Sequence, residues 1–185
     1  KIRLAGPVFT IGSCFADEIG NRLTESKFQV AVNPFGTVYN PVSIHRLLNF
    51  GLTGELPSEE SYGQQEEIYF NYHFHSAFSS LKKEELQIRL EEVIAQTNLF
   101  LKKAEWILIT YGTAWVYKQH NETIVANCHK KPASHFTKQL LTDYEVLDSF
   151  AAFYTGLKTI NPAAKLILTV SPVRHLKDSL ELNSV

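Results

Sequence analysis

The first forty residues change from one hydrophobic spacing to another. Val8–Ile11 is a short run of β-forming residues, and apolar side chains then recur every four positions at Phe15, Ile19 and Leu23. The run predicts a strand and the four-residue spacing predicts a helix. A second strand is predicted at Gln29–Val32, followed by the loop NPFGTVYNP, whose two Asn-Pro pairs and glycine indicate fixed turns.

Longer helices and strands alternate in the rest of the chain. An apolar stripe over 86–101 predicts a long helix, and the run at 106–110 predicts a buried strand. Thr142 and Glu145 have the spacing of a capping box, so a further helix is predicted after them, ending at the Asn-Pro pair. The apolar run at 165–170 is typical of a strand that is covered on both faces.

Three stretches are less regular. Ser43–Asn49 is predicted as a short helix, and residues 51–80 as an irregular insertion whose aromatic part has one exposed face. Trp115–Lys118 and Thr123–Asn127 resemble a hairpin that projects from the edge of the sheet.

The alternation of strands and helices predicts an α/β fold, a three-layer α/β/α sandwich with a mainly parallel, flavodoxin-like sheet. Right-handed crossovers place the carboxyl ends of parallel strands at one edge of the sheet, here called the rim. Three turns should meet there: GSC at 12–14, YGTA at 111–114 and SPVRH at 171–175.

Composition narrows the range of partners. The 185 residues include 18 Lys+Arg and 19 Asp+Glu, so the net charge of -1 gives no electrostatic footprint for nucleic acid or an anionic membrane. The sequence shows no targeting segment, so a cytoplasmic location is the default expectation. The chain begins at Lys1, has no methionine and stops in LELNSV, which suggests a single domain, 1–185, that lacks its C-terminal part.

The GSC turn is the first candidate for chemistry. Cys14 lies between a predicted strand and a predicted helix, where unpaired N–H groups and the helix dipole stabilise an anion such as a thiolate or an oxyanion. Ser13 is the competing nucleophile, or else a cap for the helix. Two cysteines are too few for a disulfide framework, although a single bridge between Cys14 and Cys128 stays open.

Five segments together resemble the GSCFA domain family, which is similar in turn to the SGNH, or GDSL-like, hydrolases: IGSCFADEIG, NPFGTVYNP, ITYGTAWVY, VANCHKKP and TVSPVRHLKD. The resemblance covers nearly the whole chain, and it implies an SGNH-hydrolase-like version of the α/β sandwich.

The resemblance also implies roles for residues at the rim. Cys14 falls at the nucleophile position, Ser13 at the neighbouring aspartate position and Gly36 at the oxyanion glycine. Gly112 and Thr113 stand where those hydrolases have a GxND turn, but the asparagine is absent here. The DxxH pair of those enzymes is also missing, and the resemblance implies a histidine base downstream of Val185.

Other polar residues are candidates for binding substrate. The NCHKKP segment follows the predicted hairpin and is expected to fold over the rim, where it would present Asn127 and His129 to a substrate, and the family resemblance strengthens the case for His129. Arg174 and His175 follow a predicted strand end, where an arginine can clamp a carboxylate or phosphate.

The histidines give no recognisable metal pattern. His45 and His120 are expected to be solvated, and His73 and His75 would share one face of a strand without a third ligand at a familiar spacing. We therefore expect neither a metal nor another cofactor, since the nucleotide-binding glycine motifs are missing as well.

Two functions follow from these observations. The first is an SGNH-like acyl-ester hydrolase or acyltransferase that uses Cys14 or Ser13 and acts on a small-molecule or carbohydrate ester. The second is a non-catalytic domain of the same fold that binds a ligand or glycan through the aromatic stretch of the insertion. The sequence leaves the oligomeric state open.

Overall fold

The computed structural model describes residues 2–171, in which a four-stranded sheet is accompanied by two smaller sheets of three strands each. The elements follow along the chain as β1 (Val8–Gly12), α1 (Cys14–Glu25), β2 (Val30–Val32), α2 (Pro41–Thr53), β3 (Tyr62–Gln65), β4 (Ile68–Asn71), β5 (Ser79–Ser80), α3 (Lys83–Leu101), β6 (Trp106–Tyr111), β7 (Trp115–Lys118), β8 (Ile124–Val125), β9 (Thr137–Leu140), α4 (Asp143–Ile160) and β10 (Lys165–Val170).

The four-stranded sheet has the order β10-β6-β1-β2, and its strands pair in parallel. Phe9 lies opposite Ala31 on one side and Ile107 on the other. Every residue of β1 is buried, as expected for an inner strand of a parallel sheet. The prediction of an α/β fold with a mainly parallel sheet is confirmed.

Helices cover both faces of this sheet. Ile11 and Ile109, on one face, pack in a single core with buried residues of α2, α3 and α4. On the other face, Thr10 lies against Gly20 of α1, where an added Cβ would come within 2.8 Å of the Thr10 hydroxyl oxygen. The layers are those of an α/β/α sandwich. None of the described helices combines the length and the low polarity that a membrane span requires.

The region 51–80 is more ordered than the irregular insertion that the sequence predicts. α2 continues to Thr53, and β3, β4 and β5 form an antiparallel sheet. The predicted exposed aromatic face is wrong, because Phe70 and Phe74 are only 2% and 0% exposed. Asn71 and His73 are buried between them, so the alternation of apolar and polar residues here does not mark a solvated face.

The predicted hairpin at 115–127 is present but is placed differently. β7 and β8 pair antiparallel, and β7 also pairs with β9, a strand that the sequence did not predict. The three strands form a sheet of their own instead of extending the parallel sheet. Arg46 of α2 donates a hydrogen bond to the carbonyl of Ile124, which fastens this small sheet to the main body.

Helix starts follow the local sequence closely. The capping box of α4 is confirmed, since the Thr142 hydroxyl accepts the Glu145 N–H and the Glu145 carboxylate accepts the Thr142 N–H. α2 begins earlier than predicted, at Pro41, because the Asn40 side chain caps it by accepting the Ser43 N–H at 2.8 Å.

Candidate functional site

The turn after β1 brings the end of that strand against β6. Gly12 has a φ of +132°, and a Cβ at this position would lie 2.1 Å from the carbonyl oxygen of Thr110. Only glycine fits such a conformation and such a close approach. The next residue, Ser13, donates its N–H to the same Thr110 carbonyl at 3.0 Å, which fixes the start of α1 at the rim.

Ser13 and Cys14 are adjacent but lie in opposite environments. Ser13 is the N-cap residue of α1 and is 1% exposed, yet its hydroxyl makes no capping bond and has no hydrogen-bond partner among residues 2–171. Cys14 is the first residue of the helix, and its side chain is exposed as a free thiol. The expectation that Ser13 caps the helix through its hydroxyl is therefore not met.

Two N–H groups at the start of α1 remain available for a ligand. The Ala16 N–H donates to the Ser13 carbonyl at 2.8 Å, but the N–H groups of Cys14 and Phe15 have no acceptor in the described part of the chain. Helix geometry explains this, because first-turn N–H groups have no carbonyl one turn earlier. These two donors, together with the helix dipole, favour an anion beside the Cys14 thiol.

Asn33 joins the turn to the loop that follows β2. Its Oδ1 accepts the Gly12 N–H at 2.7 Å, and its Nδ2 donates to the Gly12 carbonyl at 3.2 Å and to the Asp17 carboxylate at 2.8 Å. The other Asp17 oxygen accepts the Thr37 hydroxyl at 2.8 Å. Asp17 lies in the first turn of α1, and the sequence signal for this network is the Asn-Pro pair at 33–34.

The other predicted oxyanion donors already have acceptors. Gly36 donates its N–H to the Asn33 carbonyl at 2.8 Å. Gly112 and Thr113 both donate to the Tyr39 carbonyl, at 2.8 and 3.3 Å. The structure thus brings these residues to the rim, but their N–H groups hydrogen bond to loop carbonyls. This differs from the oxyanion-binding role that the family resemblance implied. The Thr113 hydroxyl accepts the Trp115 N–H at 3.1 Å and can still donate its own proton.

Tyr39 is a residue of this site that the sequence reasoning missed. Burial raises the pKa of its phenol, and the nearby Cys14 and Asp17 raise it further. The effect of Cys14 places the phenol within electrostatic reach of the thiol, and the Tyr39 ring lies beside Gly112. The available signal was its position in the NPFGTVYNP segment.

His45 is buried under the rim, which corrects the prediction that it is solvated. It is 1% exposed, its Nε2 lies 2.7 Å from the Tyr111 hydroxyl and its Nδ1 lies 2.8 Å from the Ser149 hydroxyl. Burial lowers the pKa of His45 to about 4, so the ring is neutral near pH 7. Because Ser149 donates to the Val146 carbonyl, His45 Nδ1 carries the proton and Nε2 accepts from Tyr111, whose own pKa burial raises to about 12.

The structure places Asn127 and His129 together beside the small sheet of β3, β4 and β5. Both line a cavity of about 430 Å³, here called the hairpin cavity, with residues of the β3–β4 turn and the segment 76–79. The His129 ring stacks on Phe70 at 4.2 Å, and its Nε2 lies 3.0 Å from the Asn71 carbonyl oxygen. Burial lowers the pKa of His129 to about 4, so it acts as a neutral anchor.

The remaining residues considered from the sequence are Arg174, His175, Cys128 and His73. Arg174 and His175 lie outside the described residues. Cys128 is a free, half-buried thiol whose pKa burial raises to about 11, and no disulfide joins it to Cys14. His73 hydrogen bonds to Arg46 at 2.9 Å, and residues 2–171 contain no group of three or more metal-binding side chains.

These features define an α/β protein whose first inner strand ends in a tight turn, with an exposed thiol at the start of the following helix. The family model described as the GSCFA family matches residues 7–185, so the chain belongs to that family. Searches among curated proteins and among solved structures each found no match.

Proposed function

We propose that this protein is an acyl-ester hydrolase or acyltransferase of SGNH type whose nucleophile is the Cys14 thiolate. The observation that carries the proposal is the exposed thiol at the first residue of α1, next to two N–H groups without acceptors. A second observation supports it, since the neighbouring Ser13 is only 1% exposed, which leaves the exposed Cys14 thiol as the nucleophile of this turn that a substrate can reach.

The chemical step follows from this geometry. The Cys14 sulfur bonds to the acyl carbon, and the resulting oxyanion lies at the start of α1, where it accepts hydrogen bonds from the N–H groups of Cys14 and Phe15 and none from the N–H groups of Gly36, Gly112 and Thr113. The C–O bond then breaks, and the alcohol leaves with a proton taken from water. Water or a second alcohol attacks the thioester and releases the free thiol.

The test is turnover of p-nitrophenyl acetate by the full-length protein. Its leaving group needs no acid catalyst, so the assay isolates the nucleophile. We expect Cys14→Ala to lower turnover about a hundredfold or more, and the matched variant Cys128→Ala to leave it unchanged, because that thiol is protonated near neutral pH. Loss in Ser13→Ala with full activity in Cys14→Ala would assign the reaction to the serine. Turnover that is the same in all four proteins would refute the proposal.

The second candidate function is a non-catalytic ligand-binding domain. It is favoured by one observation: Gly36, Gly112 and Thr113 use their N–H groups to hold the loops of the rim. Binding of a sugar ester by the full-length protein, with no acyl transfer and no effect of Cys14→Ala, would support this function over catalysis.

A further inference from the structure

A cavity of about 260 Å³, here called the interhelical cavity, lies between α2 and α4. Val42, Arg46 and Asn49 of α2 line it, and their spacings of four and three residues place them on one face of that helix. The opposite wall includes Ala152 of α4. The volume is slightly below that of sites that hold drug-sized ligands, so the cavity suits a smaller molecule.

Arg46 brings a positive charge to this cavity that no carboxylate balances. Its side chain is partly buried, and burial lowers the pKa of the guanidinium with no neighbouring acid raising it. None of the ion pairs within residues 2–171 includes Arg46. Charges that are withdrawn from water are normally paired, because their desolvation is costly. The guanidinium therefore favours a negatively charged ligand.

The guanidinium of Arg46 has one occupied nitrogen and one free edge. Its Nη1 donates to His73 Nδ1 and to the Ile124 carbonyl, which uses both protons of that nitrogen. Nε and Nη2 have no acceptor among residues 2–171, and neither nitrogen is sealed from solvent. Nε–H and one Nη2–H point the same way, which is the arrangement that binds both oxygens of a carboxylate. A carboxylate can thus bind without breaking either existing hydrogen bond.

Asn49 adds a further donor next to Arg46. Side chains three residues apart on a helix are neighbours on its surface. The backbone carbonyl of Asn49 accepts the Thr53 hydroxyl at 3.0 Å, but its side-chain amide makes no hydrogen bond within residues 2–171 and is not sealed from solvent. The amide N–H groups are therefore available to the same anion that Arg46 binds.

The other titratable groups limit the ligand to a single negative charge. His45 lines the cavity and His73 lies behind Arg46, and both are neutral near pH 7 because their pKa values are lowered, chiefly by burial, to about 4 and 3. Glu55 is exposed and also lines the cavity. With one cation and one carboxylate in the wall, a doubly charged phosphate would be repelled more strongly than a monocarboxylate.

Apolar side chains complete the wall. Val42 and Phe50 of α2 and Ala152 of α4 all line the cavity. Phe50 is only partly buried, so its ring can contact a ligand. A carboxylate with a short apolar or aromatic group would place its charge on Arg46 and remove its apolar part from water against Phe50.

We propose that the interhelical cavity binds a small organic monocarboxylate. The Nε–Nη2 edge of Arg46 and the side-chain amide of Asn49 hold its carboxylate, and its apolar group lies against Phe50. This binding goes beyond the acyl transfer proposed above and does not depend on the chemistry of Cys14.

Binding is measured by proton–nitrogen correlation NMR on the full-length protein, with benzoate as the probe, benzamide as its uncharged match and sodium chloride as the ionic-strength control. We expect benzoate to shift the Arg46 Nε–H and Asn49 side-chain amide signals and to saturate in the millimolar range or below. Benzamide and chloride should leave these signals unchanged. Phosphate should bind about threefold more weakly than benzoate, and tighter binding of phosphate would contradict the monocarboxylate assignment.

Two tryptophan variants of α4 test whether benzoate lies in the cavity. Ala151 and Ala152 are both exposed, but of the two only Ala152 lines the cavity. Ala152→Trp should fill the cavity and weaken benzoate binding about tenfold or more. The matched control Ala151→Trp should bind benzoate as the wild type does.

Asn49→Asp tests the unbalanced charge of Arg46 without removing the arginine. The new carboxylate would pair with the guanidinium and occupy its free edge. The variant should raise the melting temperature of the ligand-free protein by about 1–3 °C and weaken benzoate binding about tenfold or more. A fall in melting temperature would contradict the description of Arg46 as a cation without a partner.

Three results would overturn the proposal. They are the absence of saturable signal shifts in the folded wild type, equal benzoate affinity in Ala151→Trp and Ala152→Trp, and undiminished affinity in Asn49→Asp. Cys14→Ala should bind benzoate as the wild type does, even if it has lost all turnover of p-nitrophenyl acetate. Loss of benzoate binding in that variant would place the ligand at the Cys14 turn and refute the cavity assignment.

Discussion

Gly36 and Gly54 allow one structural role to be measured against a matched control. Both have a left-handed backbone, with φ of +77° and +75°, and both keep their N–H in a local hydrogen bond, to Asn33 and Phe50. A Cβ at Gly54 would meet nothing within 4 Å, whereas one at Gly36 would lie 2.7 Å from the His75 Cβ and 2.8 Å from its Cγ. The two positions therefore differ in the room available for a side chain and not in backbone strain.

The expected costs follow from that difference. Gly54→Ala should lower the free energy of unfolding by about 1 kcal/mol, the usual cost of a left-handed alanine. Gly36→Ala should cost about 2–4 kcal/mol, because overpacking adds about 1–3 kcal/mol when the neighbour is the base of a side chain and cannot swing away. For a chain of this size that corresponds to a fall of about 4–16 °C in melting temperature, against about 2–4 °C for the control.

Urea denaturation of the two variants beside the wild type measures both values. Equal losses in Gly36→Ala and Gly54→Ala would contradict the packing of His75 on Gly36. If Gly36 serves packing, Gly36→Ala should lose stability while the molecules that remain folded keep their rate of acyl transfer. If Gly36 serves as an oxyanion donor, the fully folded variant should lose turnover.

Two further predictions concern the groups that support the rim. Asn33→Ala removes the hydrogen bonds to Gly12 and Asp17, so the free energy of unfolding measured in urea should fall by about 2–4 kcal/mol, and a loss below about 1 kcal/mol would contradict the network. The free energy of unfolding should also fall as the pH drops from about 6.5 towards 4, by up to about 3–4 kcal/mol per pH unit. The reason is that the histidines of the unfolded state take up protons in this range, whereas the buried imidazoles of the folded state stay neutral. The folded pKa values are lowered, chiefly by burial, to about 4, 3 and 4 for His45, His73 and His129. His45→Gln should lower the number of protons taken up on unfolding by about one and so make that slope shallower. Stability that does not change between pH 7 and 5 would contradict these pKa values.

Local patterns predicted most of the parallel sheet because each element carried its own signal. The buried run of β1, the four-residue spacing of α1 and the capping box of α4 depend on nearby residues alone. β9 escaped prediction because its residues, TKQL, are mostly polar and are held only by pairing with β7. Such pairing is a property of the fold and leaves no local pattern.

The sequence predicted where the site lies but not which hydrogen bonds its groups make. A strand followed by a helix was enough to place Cys14 at the start of α1. Whether an N–H is free or occupied depends on a carbonyl far along the chain, as with Gly112 and Tyr39. His45 shows the same limit, since its burial depends on Tyr111 and Ser149, which are distant in sequence.

The most direct measurement of the central claim is to trap the acyl-enzyme. The full-length protein is mixed with p-nitrophenyl acetate, quenched in acid, and examined by intact and peptide mass spectrometry before and after neutral hydroxylamine, which cleaves thioesters and spares amides. The account predicts about one acetyl group per chain, located on Cys14 and removed by hydroxylamine. An acetyl group on Ser13, or acetylation only at amines that hydroxylamine does not reverse, would contradict it.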